Sequence, residues 1–233
     1  MAFDFQAVVP ANHHAFPSWN RVLPLPSADL MYSVGAPSIE NFLLVGEAWF
    51  HVISKDLPPD GTILDLGCGC GRTARFLLNL RSLNYVGIDI FRASIDWCNT
   101  TFPPMTGDRF KFFHFDGHSD TYNPSGRIKS VEYTFPIASE TIDYAFAASL
   151  FTHLLEPDAK HYLAELSRVL KRGGKALLST HVAPPEGYEY FGSEDRIEVS
   201  ENYFVRLASA AGLQVHEVVG EVCGQHTILF QKP

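Results

Sequence analysis

Apolar residues along this chain fall into two patterns that alternate from Gly61 onward. Short apolar runs, typical of buried strands, alternate with stretches in which apolar positions recur at helical spacing. The predicted strands are 62–66, 85–90, 110–115, 142–147, 176–179, 213–219 and 227–231. The predicted helices are 73–80, 91–101, 201–211 and a helix that starts at Pro157 and ends in the stretch 171–174. This alternation predicts an α/β fold, a mostly parallel sheet with helices on both faces.

Before Gly61 the pattern differs. Residues 1–37 are rich in Pro, Asn, His and aromatic side chains and show no periodicity, so we expect an N-terminal arm that wraps the domain. Ser38 then suits a helix cap, because apolar residues follow it at helical spacing: Phe42, Val45, Trp49, Val52 and Ile53. We expect residues 38–233 to form a single domain, with long loops at 118–140 and 181–200.

The first predicted strand runs into a glycine-rich turn. Its sequence is Leu64-Asp65-Leu66-Gly67-Cys68-Gly69-Cys70-Gly71. Glycine has no Cβ and tolerates positive φ, so such a turn brings backbone N–H groups against a bound ligand. By itself this turn fits a dinucleotide, a phosphate or a nucleoside-containing cofactor.

Three successive strand ends each deliver an acidic residue: Asp65, Asp89 and Asp116. Asp89 follows the glycine turn by the spacing that returns a carboxylate to a ribose in a βαβ unit. A dinucleotide site fits poorly, because Asp65 precedes the turn and Arg72 stands where the third glycine of that fingerprint belongs. S-adenosylmethionine offers three matching features, namely an α-amino group, a ribose diol and an adenine amine.

The chain resembles the class I, Rossmann-like S-adenosylmethionine-dependent methyltransferases. The resemblance rests on residues 64–72, 87–90, 115–117, 142–149 and 165–175, which occur in the order of that family's motifs. It implies a doubly wound, seven-stranded sheet whose last strand is antiparallel, with the ligand between strands one and four. It implies methyl transfer from S-adenosylmethionine. With the acidic pattern, it assigns these cofactor-binding residues: Tyr32, Asp65, Leu66, Gly67, Cys68, Gly69, Gly71, Arg72, Asp89, Ile90, Asp116, Gly117, Ala148 and Ser149.

Candidate catalytic residues follow two strand ends on the ligand side. His153 and His181 could each deprotonate an acceptor, since imidazole titrates near neutrality, although both could equally serve in packing. We expect a small-molecule acceptor that is methylated on O or N. A non-catalytic S-adenosylmethionine-binding module and a protein acceptor remain alternatives, and a nicotinamide oxidoreductase is disfavoured by Asp65.

Composition limits the partners. The net charge of −8 argues against nucleic acid, which usually demands a basic face. We expect no membrane partner, because no basic leader precedes an apolar segment and no apolar run is long enough to span a bilayer. The four cysteines fit reduced thiols of a cytoplasmic protein, and Cys68 and Cys70 have no second pair of ligands for a metal. The sequence does not decide between a monomer and a homodimer.

Overall fold

The computed structural model describes residues 23–233, and a single seven-stranded sheet organises them. The strands are β1 (Thr62–Leu66), β2 (Asn84–Asp89), β3 (Phe110–His114), β4 (Ile142–Ala147), β5 (Leu170–Thr180), β6 (Tyr190–Ser193), β7 (Arg196–Val199), β8 (Gln214–Val222) and β9 (Gln225–Gln231). The sheet has the order β3-β2-β1-β4-β5-β9-β8. The first five strands pair in parallel, and β9 runs antiparallel to both of its neighbours. The predicted fold class is therefore confirmed.

Helices cover both faces of this sheet. They are α1 (Ala28–Ser33), α2 (Ile39–Ile53), α3 (Ala74–Leu77), α4 (Arg92–Thr101), α5 (Pro103–Thr106), α6 (Glu156–Val169) and α7 (Glu201–Ala210). Alternate strand residues point to opposite faces, so Leu64 and Leu66 of β1 pack in the core beneath α6 and α7. Ile63 packs in the second core, which contains residues of α2, α3 and α4. The hydroxyl of Ser38 caps α2 by accepting a hydrogen bond from the Asn41 N–H, as its position predicts.

Several element boundaries differ from the sequence prediction. Helix α6 ends at Val169, and residues 171–174 begin β5 rather than closing the helix. The cause is pairing with the far end of the chain, because the backbone of Gly173 and Gly174 exchanges hydrogen bonds with Lys232. Helix α3 is shorter than predicted, and the prolines expected only to stop a helix start α5.

The predicted loops and arm also contain regular structure. The loop 181–200 contains β6 and β7, which form an antiparallel hairpin. The insertion 118–140 is packed rather than wholly polar, because Phe135 is buried and Tyr133 stacks on Phe115 with ring centroids 3.7 Å apart. Helix α1 lies within the predicted arm, and residues 1–22 of that arm lie outside the described residues. None of the helices in residues 23–233 is long and apolar enough to cross a membrane.

Candidate functional site

A cavity of about 690 Å³ opens at the carboxyl ends of the central parallel strands. Its wall contains Gly67 and Gly69 after β1, Asp89 at the end of β2 and Ser149 after β4. The strand order reverses between β1 and β4, which is the place where open α/β sheets bind ligands. Helices α1 and α2, the insertion 118–140 and the β6–β7 hairpin complete the wall.

The glycine turn after β1 adopts the conformation that its sequence predicts. Gly67, Gly69 and Gly71 all have positive φ, at 75°, 52° and 74°. A Cβ on Gly69 would lie 2.4 Å from Cγ1 of Val34, just beyond α1, so the turn is closely covered by the N-terminal region. Glycine is required here both by backbone conformation and by this approach.

Asp89 braces that turn. Its Oδ2 accepts a hydrogen bond from the Gly69 N–H at 2.7 Å, and its Oδ1 accepts one from the Phe91 N–H at 2.7 Å. Burial raises the pKa of this carboxyl, and the two backbone donors oppose the rise. Each carboxylate oxygen has a further lone pair, so Asp89 can still accept hydrogen bonds from a ligand's hydroxyl groups.

Asp65 lies deeper, with only 3% of its surface exposed. Its Oδ2 accepts a hydrogen bond from the Tyr85 hydroxyl at 2.6 Å. Burial is the main cause that raises the pKa of Asp65 to about 8, and the hydrogen bond from Tyr85 opposes it. A ligand cation beside this carboxyl would favour its ionised form.

Arg72 lies in the same cavity wall as Asp65. Its Nη1 donates to the carbonyl oxygen of Val34 at 2.9 Å, and burial lowers the pKa of its guanidinium. The guanidinium has further N–H donors, which suit a carboxylate. An acid and a guanidinium in one wall can together bind a zwitterionic amino-acid group.

The segment 23–37 lies directly on the glycine turn. Besides the Arg72 bond, Cys70 Sγ donates to the Leu30 carbonyl at 3.4 Å, and Arg75 Nη2 donates to the Leu23 carbonyl at 2.8 Å. Tyr32 lines the cavity from α1 and keeps 78% of its surface exposed. The described part of the arm therefore contributes to the cavity itself.

On the other side of the cavity, Ser149 has a φ of 63°, which is unusual for a residue with a side chain. Its N–H donates to Ser179 Oγ at 2.9 Å, and its Oγ accepts from Gln225 Nε2 at 2.6 Å. Ser179 in turn donates to Gln225 Oε1 at 2.7 Å. This closed network fixes the loop after β4, next to Ala148 in the cavity wall.

His153 is held by two segments that meet above the cavity. Its Nδ1 lies 2.8 Å from the Glu194 carbonyl oxygen, and the Tyr122 hydroxyl lies 3.1 Å from Nδ1 and 3.3 Å from Nε2. A carbonyl oxygen only accepts, so Nδ1 carries the proton and Nε2 is the basic nitrogen. Burial is the main cause that lowers the pKa of His153, and it does the same for His181, which also lines the cavity.

Residues 118–122 of the insertion and the Glu194–Asp195 turn of the hairpin are joined above His153, and we call these two segments the roof. Ser119 Oγ donates to Glu194 Oε2 at 2.6 Å, and the Thr121 N–H donates to the same oxygen at 3.2 Å. The Thr121 hydroxyl also donates to Asp195 Oδ1 at 3.0 Å. The hydrogen bonds from Glu194 therefore fix the turn 119–122, and this turn places the Tyr122 hydroxyl beside His153.

Not every predicted cofactor-binding residue lines the cavity. Within residues 23–233, the cavity wall does not include Leu66, Gly71, Asp116 or Gly117. Asp116 is engaged elsewhere, because Arg127 Nε donates to its Oδ2 at 2.7 Å and thereby lowers the pKa of this carboxyl. No cluster of three or more metal-ligating side chains occurs in this described part, where all four cysteines are free.

Sequence reasoning missed a second group of wall residues. They are Asn41, Trp49, Tyr122, Thr152, Asp158, Glu194, Cys223 and Gln225. Trp49 was visible only as part of the apolar face of α2. Cys223 lies in the turn between β8 and β9, far along the chain, and Gln225 is the first residue of β9. Glu194 and Asp158 carry no sequence motif that separates them from ordinary loop and helix residues.

Comparisons with known proteins agree with this geometry. Residues 64–176 match a family model described as a methyltransferase domain. The chain is 27% identical over 118 residues to sterol 24-C-methyltransferase erg6 of Schizosaccharomyces pombe, a match that covers 51% of this chain. The chain spans only 27% of the length of that curated relative.

Solved structures show the same fold. One is 1,6-didemethyltoxoflavin-N1-methyltransferase of Burkholderia thailandensis, with bound 1,6-didemethyltoxoflavin and S-adenosylhomocysteine. It is 18% identical, with a TM-score of 0.63 over 90% of this chain and 92% of that one. Another is a TehB-like S-adenosylmethionine-dependent methyltransferase of Corynebacterium glutamicum. It is 19% identical, with a TM-score of 0.58 over 87% of this chain and 92% of that one. The third, geranyl diphosphate C-methyltransferase of Streptomyces coelicolor, is 15% identical, with a TM-score of 0.63 over 90% of this chain and 86% of that one.

Proposed function

We propose that this chain is a class I S-adenosylmethionine-dependent methyltransferase and that it transfers a methyl group from S-adenosylmethionine to an O or N atom of a small-molecule acceptor. The match of residues 64–176 to a methyltransferase domain and the fold shared with methyltransferases of known structure support the proposal. The observation that carries the proposal is the cavity at the β1–β4 switch point. One part of it has the polar groups that suit the cofactor, and an adjoining part contains two imidazoles of lowered pKa.

The residues around the glycine turn fit S-adenosylmethionine. Asp65 would accept from its ammonium group, Arg72 would bind its carboxylate, and Asp89 would accept from its ribose hydroxyls. Two buried polar atoms in the same wall, Trp49 Nε1 and Ser94 Oγ, have no partner within the described residues, as expected where a polar ligand belongs. The volume of about 690 Å³ falls in the range of cofactor sites and leaves room for a small acceptor beside it.

Methyl transfer requires the protein mainly to align the acceptor with the cofactor and to exclude water from the site. When bound, S-adenosylmethionine supplies a methyl group on a sulfonium, which is already electrophilic. The insertion and the hairpin exclude water and hold the acceptor in line, effects that can lower a barrier by several kcal/mol. His153 Nε2 would take the proton from an acceptor hydroxyl, with His181 as the second candidate, and an amine acceptor would need this base less.

The cover over one part of the cavity favours a small acceptor. Tyr122 and Glu194 cover the part of the cavity that contains His153, and a protein segment would have to displace that roof. Two of the related structures hold small molecules beside S-adenosylhomocysteine, namely 1,6-didemethyltoxoflavin in one and geranyl-S-thiolodiphosphate in the other. We also expect a cytoplasmic protein, because all four thiols, which lie within residues 23–233, are free.

Calorimetry tests the first requirement of the proposal, which is binding of the cofactor. We expect the protein to bind S-adenosylmethionine and S-adenosylhomocysteine but not NAD, and to form S-adenosylhomocysteine when offered a suitable acceptor. Tight NAD binding without any response to S-adenosylhomocysteine would sink the proposal. Cofactor binding without turnover across a broad panel of hydroxyl and amine acceptors would favour a binding module instead.

A further inference from the structure

The part of the cavity beneath the roof differs in charge from the part at the glycine turn. Among the described residues that line the cavity, Arg72 is the only arginine or lysine, and it is bonded to Val34 at the glycine turn. The wall around His153 has two acids instead, Asp158 and Glu194. A phosphate or carboxylate bound there would face like charge with no compensating cation.

The two acids are not equivalent. The Glu194 carboxylate is engaged, since it accepts hydrogen bonds from Ser119 and Thr121. No hydrogen bond or ion pair to the Asp158 carboxylate is found within residues 23–233. Asp158 is the third residue of α6, a position where an acid often caps the helix, but it makes no such bond here. Burial, followed by the charge of Glu194, raises the pKa of Asp158, and the neighbouring His161 opposes this rise.

A second observation at the same end points to a ligand. Thr152 lines the cavity with only 1% of its surface exposed, and its Oγ1 has no hydrogen-bond partner in the described part of the chain. Buried hydroxyls without partners are rare in folded proteins. The rings of Tyr122 and Tyr162 belong to the same wall and offer aromatic surface, to which cations are attracted.

We propose that Asp158, with Thr152 and the two tyrosines, binds a cationic amino group of the methyl acceptor. This deepens the proposed function and rests on it. The bound amino group is a recognition group and not the methylated atom, because an ammonium held by a carboxylate has no lone pair for attack. The acceptor therefore carries an ammonium at one end and a nucleophilic hydroxyl or second amine, within reach of His153, at the other.

The test uses two probes of the same ring and opposite charge, tyramine and 4-hydroxyphenylacetate, titrated into protein saturated with S-adenosylhomocysteine. We expect tyramine to bind about tenfold more tightly or better, since a charged hydrogen-bonded pair contributes roughly 1.5–3 kcal/mol. Asp158→Asn should remove most of this preference. Asp120→Asn, which deletes an equal charge from a side chain of the roof that is 90% exposed, should leave the preference unchanged.

Each outcome decides the inference. Equal affinity for the two probes, or a preference that survives in Asp158→Asn, would overturn it, as would the failure of every member of a graded panel of amines to bind. Circular dichroism and thermal melting establish that both variants are folded. Failure of S-adenosylhomocysteine itself to bind would overturn the proposed function, a result that is distinct from a lost amine preference in cofactor-saturated protein.

Discussion

The carboxylate of Asp89 holds the backbone N–H of Gly69 at 2.7 Å, across twenty residues of sequence. The end of β2 and the glycine turn after β1 are therefore one unit. Asp89, which the sequence assigns to the ribose, therefore also fixes the turn that would contact the remainder of the cofactor. Binding and loop geometry are coupled at this position, and a substitution there must affect both.

We predict that Asp89→Ala lowers the affinity for S-adenosylhomocysteine by about tenfold or more, since hydrogen bonds to a charged group contribute roughly 1.5–3 kcal/mol. The variant also leaves the N–H groups of Gly69 and Phe91 without their acceptor, which should lower the melting temperature by several degrees while the domain stays folded. Calorimetry and thermal melting measure the two effects.

Asp96→Ala is the matched control, because Asp96 is an exposed acid of the adjacent helix α4. It should leave both measurements close to those of the wild-type protein. An unchanged dissociation constant in folded Asp89→Ala would refute the ribose assignment.

The glycine turn gives a second prediction. Gly69→Val should abolish cofactor binding, and Gly69→Ala should weaken it strongly, because a Cβ there would lie 2.4 Å from Cγ1 of Val34. Gly107→Ala is the control, since Gly107 has a similar φ of 58° but no neighbour within 4 Å of an added Cβ. Gly107 has a ψ of −138°, a conformation that side chains rarely adopt, so that variant should lose about 1–3 kcal/mol of stability from backbone strain alone and should bind normally.

A double variant separates strain from collision at Gly69. Val34→Ala removes the methyl group that the new Cβ would meet, so it should restore part of the binding lost in Gly69→Ala. Calorimetric titration of the four proteins with S-adenosylhomocysteine measures this recovery. Normal binding by Gly69→Val would show that the turn does not cradle the cofactor.

The third prediction concerns pH. In the folded protein the pKa of Asp65 is about 8, far above the 3.8 of an exposed carboxyl, because burial disfavours the ionised form. The folded state therefore holds more protons than the unfolded state between these values, and this carboxyl makes the unfolding free energy fall as the pH rises from about 4 to 8. Asp65→Asn, which stays neutral, should lack this decline. Urea unfolding at several pH values compares the two proteins.

Cofactor binding should reverse the protonation. The ammonium of S-adenosylhomocysteine would favour ionised Asp65, so binding should release a proton and strengthen as the pH rises toward 8. Calorimetry in buffers of different ionisation enthalpy counts the released protons. Proton release of the same size in Asp65→Asn would contradict this assignment.

The fourth prediction concerns the base. For a hydroxyl acceptor, His153→Ala should reduce turnover by roughly 10²–10⁴-fold with cofactor affinity intact. Burial lowers the pKa of His153, so the wild-type rate should fall only at acidic pH, below the ordinary imidazole pKa near 6.5, where Nε2 becomes protonated. The variant should lose this acidic limb of the pH–rate profile.

His181→Ala tests the alternative base, and His51→Ala, on the outer surface of α2, serves as the control. The variant that loses both turnover and the acidic limb identifies the base. If His153→Ala and His181→Ala both keep near-normal turnover across pH, positioning alone carries catalysis, and an amine becomes the better acceptor.

Local sequence patterns predicted the framework of this molecule because their causes are local. The alternation of strands and helices, the cap at Ser38 and the positive φ at Gly69 each depend on a few neighbouring residues. The spacing from the glycine turn to Asp89 follows from the length of one βαβ unit, and the structure indeed joins those two positions.

What the sequence could not reveal depends on contacts that form only in the folded chain, most of them between residues far apart in sequence. The acidic side chain of Asp116 is directed by Arg127, which the insertion supplies. Residues 171–174 extend a strand because Lys232 pairs with them. Gln225 reaches the cavity through a network with Ser149, 76 positions away. No short pattern encodes such meetings, since each requires the folded sheet to bring the two segments together.

The join between Ser119, Thr121 and the Glu194–Asp195 turn consists of a few side-chain hydrogen bonds near the surface, each worth only about 1 kcal/mol net. The sheet beneath is held by two buried cores. We therefore expect this seam to open more readily than the sheet beneath it, with the insertion as the moving side, because backbone hydrogen bonds from Ile197 and Val199 anchor the hairpin. Because the Glu194 carbonyl accepts the proton of His153 Nδ1, the hairpin tip that bonds to the insertion also orients the imidazole that we propose as the base.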